Sequence, residues 1–139
     1  MALSIMLVDD SQSSLTIMKL LLNKAGINEV TAHCSPKEAL DQIQKGQIPS
    51  LVITDFKMPE MSGLEFLEAV SALYPEIPAI IISGDSDSVR SESRNYPVLE
   101  KGSPDFFNQI IQQIKIYTGE VRETAPEKNN RRTLSKKIT

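Results

Sequence analysis

Four short runs of uninterrupted apolar residues, at 5–8, 51–53, 79–82 and 98–99, constrain what this chain can fold into more than any other feature. A strand with one face in water alternates apolar and polar residues, whereas a strand covered on both faces reads as a continuous apolar run. The runs therefore point to the interior of a parallel sheet with helices on both sides. A fifth segment, 29–34, is less apolar and belongs nearer an edge.

The intervening segments carry helical spacing. Leu15, Met18, Leu22 and Ala25 recur on one helical face, with Gly26 placed to close the helix. Ser35-Pro36-Lys37-Glu38 reads as a capping box with proline at the first helical position, ahead of Ala39, Leu40 and Ile43 and a stop near Gly46. Ser62 and Glu65 form a second box, followed by Leu64, Leu67 and Val70. Ser103-Pro104 opens the last helix, with Phe107, Ile110, Ile111 and Ile114 as its buried stripe. The connection 85–95 is the exception. Val89 is its one aliphatic residue, so the fourth helix is expected to be short or irregular, or a loop. The sum is a strand–helix unit repeated five times, an α/β fold with right-handed crossovers.

In such a fold ligands bind beyond the carboxyl ends of the strands. The first strand ends in Asp9-Asp10, the third in Asp55, the fourth in Ser83 and the fifth in Leu99-Glu100-Lys101. A parallel sheet brings these termini to one edge. Three crowded carboxylates repel one another and raise at least one pKa. A hard divalent cation relieves that repulsion, and Mg²⁺ prefers oxygen ligands while keeping waters for exchange with phosphate. Acidic groups, a cation and a lysine are the parts that stabilise a phosphoryl group in transfer. A carboxylate can itself be the nucleophile. Taken singly, each aspartate reads as a turn former or cap, Ser83-Gly84 as a turn, and Lys101 as a solvated lysine. Their joint placement on one edge is what favours chemistry.

Composition excludes several other classes. The chain is 40% hydrophobic and 24% charged, ordinary for a globular protein, and its 139 residues suit one domain. A net charge of −3 does not favour nucleic acid as a partner. The single cysteine, Cys34, cannot form an internal disulfide, which fits a reducing cytosol. His33 and Cys34 are adjacent at a strand end, point to opposite faces, and read as ordinary strand residues rather than zinc ligands. The N-terminus lacks the pattern of a signal peptide, and no segment approaches the ~20 apolar residues of a membrane span. A cytoplasmic location is expected.

These residues resemble the receiver domain of two-component response regulators, over roughly residues 3 to 118. VDDS at 8–11 is similar to the acidic pair of that family, DFKMPEMSG at 55–63 to its phosphoacceptor segment, IISG at 81–84 to its hydroxyl position, and LEKG at 99–102 to its lysine. The resemblance implies a flavodoxin-like, doubly wound sheet of order 2-1-3-4-5. It implies that Asp55 accepts a phosphoryl group from a phosphohistidine on a sensor histidine kinase or histidine phosphotransfer protein. It implies that Asp10, Asp55 and the backbone carbonyl of Lys57 bind Mg²⁺ directly, with Asp9 assisting, and that Ser83 and Lys101 contact phosphoryl oxygens. Lys57 and Asp85 flank the site, two residues after Asp55 and Ser83, where they line access to the phosphoryl group. Met58-Pro59 stiffens the turn after Asp55, and Gly63 lets the chain enter the third helix.

Three departures from the family pattern stand out. Gly102 follows Lys101 where the family usually has proline, so the bond is expected to be trans with an altered loop, or cis at a cost of ~2.5–4 kcal/mol. Val98 stands where an aromatic residue is common, with Tyr96 two residues earlier on the same strand face. Ser83 and Lys101 are separated by fewer residues than usual, and the shortfall falls on the weak fourth helix. An order–disorder change of 85–97 on phosphorylation is the corresponding expectation.

Residues 119–139 carry a net charge of +3, leaving −6 for the body. With few large aliphatics they are expected to form a flexible tail beside a receiver domain at 1–118. The leading expectation is a signalling module that turns over no external substrate and acts through phosphorylation-dependent contact with a downstream protein. Two rivals are a Mg²⁺-dependent phosphohydrolase working through an aspartyl-phosphate, and a degenerate receiver that binds partners without being phosphorylated. Lys57 stands where such hydrolases place a second aspartate, which disfavours the first.

Overall fold

The structure is a computed structural model, and it describes residues 3–85, 89, 90, 92, 93 and 95–119. The described residues up to Pro104 form one compact unit, and those from Asp105 on form a second. The first contains β1 (Ser4–Val8), α1 (Gln12–Lys24), β2 (Glu29–His33), α2 (Pro36–Gln44), β3 (Leu51–Asp55), α3 (Gly63–Leu73), β4 (Ala79–Ser83) and β5 (Val98–Glu100). The five strands are all parallel, in the order β2-β1-β3-β4-β5. This is the doubly wound, flavodoxin-like order that the apolar runs and the resemblance lead one to expect.

β3 and β4 are buried at every position, as central strands must be, and β2 lies at an edge. Alternation splits the strands between two faces. Met6, Val8, Val52, Ala79, Ile81 and Val98 pack with Ala39 and Ile43 of α2 and Phe66, Leu67 and Val70 of α3. Ile5, Leu7, Ile53, Ile80 and Ile82 take the opposite positions and are equally buried, while α1 runs along β2 and buries Leu15, Met18 and Leu22.

The helix signals hold in outline and fail in detail. Ala25 is the exposed C-cap of α1 rather than part of its buried face. Gly26 and Gly46 close their helices at φ 93° and 101°, a backbone region that suits glycine. Ser62 and Glu65 form a complete capping box. At α2, Ser35 caps Glu38 N–H, but the Glu38 carboxylate turns to His33, so the expected box is half made. In α3, Leu64 is only half-buried, and Phe66 takes the central core position. The second unit contributes α4 (Phe106–Thr118), which starts two residues after Pro104, with Asp105 at its N-cap. It buries Ile110 and Ile114, while Phe107 and Ile111 are half-buried.

Between β4 and β5, Val89, Arg90 and Glu92 are helical, and Ser93 N–H bonds Val89 O at 2.9 Å. Buried Val89 joins the core through the single aliphatic side chain of the segment. Residues 86–88, 91 and 94 lie outside the described residues, and so does the expected tail beyond Gly119. No helix among the described residues is long and apolar enough to cross a membrane.

Candidate functional site

Strand register builds the site. Val8 pairs with Thr54, so the next residue, Asp9, comes level with Asp55, the last residue of β3. Asp55 pairs with Ile82, and Ser83, the last residue of β4, pairs with Glu100, so Lys101 follows directly. Main-chain bonds extend the pairing past the strands: Asp9 N–H to His33 O at 3.1 Å, Phe56 N–H to Ile82 O at 3.0 Å, and Lys101 N–H to Ser83 O at 2.9 Å. The acidic end of the sheet is therefore a continuation of the ladder, not a set of loose loops.

One carboxylate oxygen from each of Asp9, Asp10 and Asp55 lies within 4.8 Å of the others. The three differ in their bonding. Asp9 is 2% exposed and has both oxygens engaged: Oδ1 accepts Ser11 N–H at 2.9 Å and Oδ2 accepts Lys101 Nζ at 2.9 Å. Asp55 Oδ1 accepts Phe56 N–H at 3.0 Å and lies 3.4 Å from Lys101 Nζ. Asp10 is exposed, and among the described residues it takes no hydrogen bond.

The electrostatics follow from burial. The Asp55 carboxyl is raised above its ordinary value, first by desolvation and then by the charge of Asp9; Lys101 and the Phe56 amide offset this only in part. For Lys101, burial acts downward, but the hydrogen bond to Asp9 and the charges of Asp55 and Asp9 outweigh it and hold the ammonium above its ordinary value. Lys101 therefore remains a cation, and the three acids remain short of positive charge. A second cation fits this deficit.

Ser83 is buried, and its Oγ accepts Asp85 N–H at 3.0 Å. Its own proton takes no partner among the described residues. Lys57 and Asp85 are both exposed at the rim, and among the described residues Lys57 makes no ion pair. The Lys101 to Gly102 peptide is trans, since no cis bond occurs among the described residues. The loop without proline nevertheless delivers the ammonium to Asp9. Tyr96 is half-buried against the cluster that contains Val98; its phenol is pushed up by burial and then by the charge of Glu68.

The seven residues singled out in the sequence lie at one end of the sheet, but the sequence does not show what holds them. It misses the Phe56 amide on Asp55, which no side-chain pattern announces. The chain enters the third helix at Gly63 as expected, and the structure supplies the cause. Gly63 does not have positive φ; a Cβ there meets Asp55 O, with Asp55 C and Phe56 Cα at 3.1 Å. The glycine is needed for close approach to the backbone of Asp55. His33 lies with Nδ1 on Glu38 and Nε2 buried, and the neighbouring Cys34 is exposed.

Comparison with known proteins gives one consistent family. The model of the response regulator receiver domain matches residues 5–115. Two-component response regulator ORR1 of Oryza sativa subsp. japonica is 34% identical over 118 residues, covering 78% of this chain and 49% of that protein. Two-component response regulator ORR5 of the same subspecies is 34% identical over 110 residues and is covered to 78%, as is this chain. This chain thus spans about half the length of the first relative. Among solved structures, response regulator TrrA from Thermotoga maritima, in complex with Mg(2+)-BeF, superposes with a TM-score of 0.73 at 25% identity, covering 83% of this chain and 98% of that one. Chemotaxis protein CheY4 of Vibrio cholerae gives 0.71 at 27% identity, covering 82% and 99%.

Proposed function

This chain belongs to the response regulator receiver domain family, and we propose that it is a phosphorylation-controlled signalling module whose Asp55 accepts a phosphoryl group from a phosphohistidine. The donor is a sensor histidine kinase or a histidine phosphotransfer protein. Membership in that family favours this reading over the phosphohydrolase.

The bonding of Asp55 carries this reading. Its Oδ1 is held by the Phe56 amide and Lys101, while Oδ2 takes no hydrogen bond among the described residues. One oxygen orients the group, and the other is left to attack. Oδ2 forms the bond to phosphorus as the phosphorus–nitrogen bond breaks, and the electron pair leaves with the donor imidazole. Lys101 pairs with one phosphoryl oxygen. Ser83 donates its uncommitted proton to another.

The acidic cluster fits a magnesium ion, because three carboxylate oxygens within 4.8 Å include a buried one whose anion is disfavoured. Asp10, with no competing bond, and Asp55 would hold the ion together with the Lys57 carbonyl, while Asp9, already bonded through both oxygens, would assist indirectly. When bound, the ion neutralises charge on the phosphoryl oxygens. The chain catalyses its own phosphorylation and dephosphorylation and turns over no external substrate. It acts in the cytoplasm, through contact with a downstream protein that recognises the phosphorylated form.

Beryllofluoride, an analogue of the phosphoryl group, tests the reading by ¹⁹F NMR. Protein-bound resonances are expected with Mg²⁺ present and are lost in Asp55→Asn. Absence of bound signal in the unaltered chain would contradict it.

A further inference from the structure

Glu60 lies outside the cluster of acids, yet its Oε1 accepts the Ser35 hydroxyl at 2.6 Å. That is the length of a charge-assisted O–H···O⁻ bond. Ser35 is the N-cap of α2, and the same Oγ accepts Glu38 N–H at 3.3 Å. With the hydroxyl proton committed to Glu60, the lone pairs of Ser35 are left for the amide, so one bond orients the other. Glu38 does not close the box but binds His33 Nδ1 at 3.1 Å. The first turn of α2 therefore reaches the site from two sides. Through His33 it touches the strand end whose carbonyl accepts Asp9 N–H. Through Ser35 it touches Glu60, three residues after Lys57 in the loop between β3 and α3.

That loop is fixed at its base. Phe56 N–H bonds Ile82 O and Asp55 Oδ1, Gly63 N–H bonds Phe56 O at 2.7 Å, and Met58 is buried in the core. Beyond Met58, the Glu60–Ser35 bond is the one side-chain hydrogen bond that ties residues 59–61 to another element among the described residues, beside the packing of Met61 on the core. We propose that Glu60 is a positioning residue: by holding Ser35 it fixes the loop that presents the Lys57 carbonyl, and so sets the affinity of the acidic site for Mg²⁺. This rests on the reading above, in which that carbonyl completes the ligand set. Mg²⁺ demands near-ideal octahedral oxygens at 2.0–2.1 Å, whereas Ca²⁺ tolerates looser shells. A displaced carbonyl therefore costs Mg²⁺ more than Ca²⁺.

Calorimetric titration of the full chain with Mg²⁺ and, separately, Ca²⁺ tests this. Glu60→Ala, a change at an exposed loop position, is expected to weaken Mg²⁺ binding about tenfold, the low end for loss of a group that orients a ligand, and Ca²⁺ binding much less. Glu60→Gln keeps an accepting oxygen and Ser35→Thr keeps the hydroxyl, so both retain near-normal Mg²⁺ affinity. Ser35→Ala combined with Glu60→Ala loses no more than either alone. Equal weakening of both cations, or Glu60→Gln as weak as Glu60→Ala, shows that Glu60 acts by charge and overturns the proposal. So does Glu60→Ala binding Mg²⁺ like the unaltered chain, which leaves the site reading intact. Failure of the unaltered chain to bind Mg²⁺ overturns both.

Discussion

Gly63 lies directly against the carbonyl of Asp55: a Cβ added at this first position of α3 runs into Asp55 O, and its nearest other contacts, Asp55 C and Phe56 Cα, are also backbone at 3.1 Å. A flexible side chain can move aside, but a main chain hydrogen-bonded into the sheet moves only with its ladder. The chain enters α3 through the one residue type that lets the helix start on top of Asp55.

Gly63→Ala is therefore expected to destabilise the fold by ~1–3 kcal/mol, the usual cost of forcing extra volume into a packed site. Because the backbone of Asp55 must shift, phosphorylation slows as well. Urea denaturation and the rate of phosphorylation by acetyl phosphate measure the two effects; an alanine variant unchanged in both would show that the crowding is relieved elsewhere.

Lys101→Ala strips Asp9 of its ammonium while leaving the carboxylate buried. The loss is expected at ~1–3 kcal/mol, the range for a buried acceptor deprived of its partner; the part-exposed lysine argues for the lower half. Phosphorylation at Asp55 should fall by about 10²-fold or more, as on removal of a group that stabilises developing charge. A loss of stability without a loss of rate would place Lys101 outside the chemistry.

The raised Asp55 carboxyl sets a pH dependence. Its anion is less favourable in the folded chain than in the unfolded one, so above the folded pKa it lowers stability. That penalty is relieved as pH falls through the folded value toward the ordinary 3.8. Without divalent ions, Asp55→Asn should melt above the unaltered chain at pH 7, because it removes a carboxylate whose anion burial disfavours. The gap should narrow as pH falls. Thermal melts between pH 7 and 4 read this directly, and a gap that widens on acidification has the wrong sign.

Asp10 separates the metal site from the fold. It is exposed and takes no hydrogen bond among the described residues, so Asp10→Asn should leave the metal-free melting temperature nearly unchanged. For the unaltered chain, Mg²⁺ at a hundred times its Kd should add ~2.7 kcal/mol, reversed by chelation. Asp10→Asn should lose most of that gain. Equal stabilisation of both proteins would mean that the ion binds elsewhere.

Most of the sheet and the positions of its acidic edge were legible in the chain, because a buried parallel strand leaves an unbroken apolar run and a parallel sheet gathers its ends. What was not legible depends on distance rather than pattern. Ser35 caps Glu38 N–H as a capping box requires, but His33 captures the Glu38 carboxylate, and that rival is not predictable from spacing. Ser103-Pro104 carries a start signal, yet α4 begins later, after a turn closed by Ser103 N–H on Glu100 O. The spacing of Leu64, Leu67 and Val70 fits a helical face without Phe66, yet Phe66 takes the core position while Leu64 is only half-buried.

The central claim is that Asp55 becomes covalently phosphorylated, and intact mass spectrometry after incubation with acetyl phosphate and Mg²⁺ tests it most directly. The unaltered chain is expected to gain the mass of one phosphoryl group, and Asp55→Asn to gain none. An unmodified wild-type mass, or an equal gain in Asp55→Asn, would contradict the account.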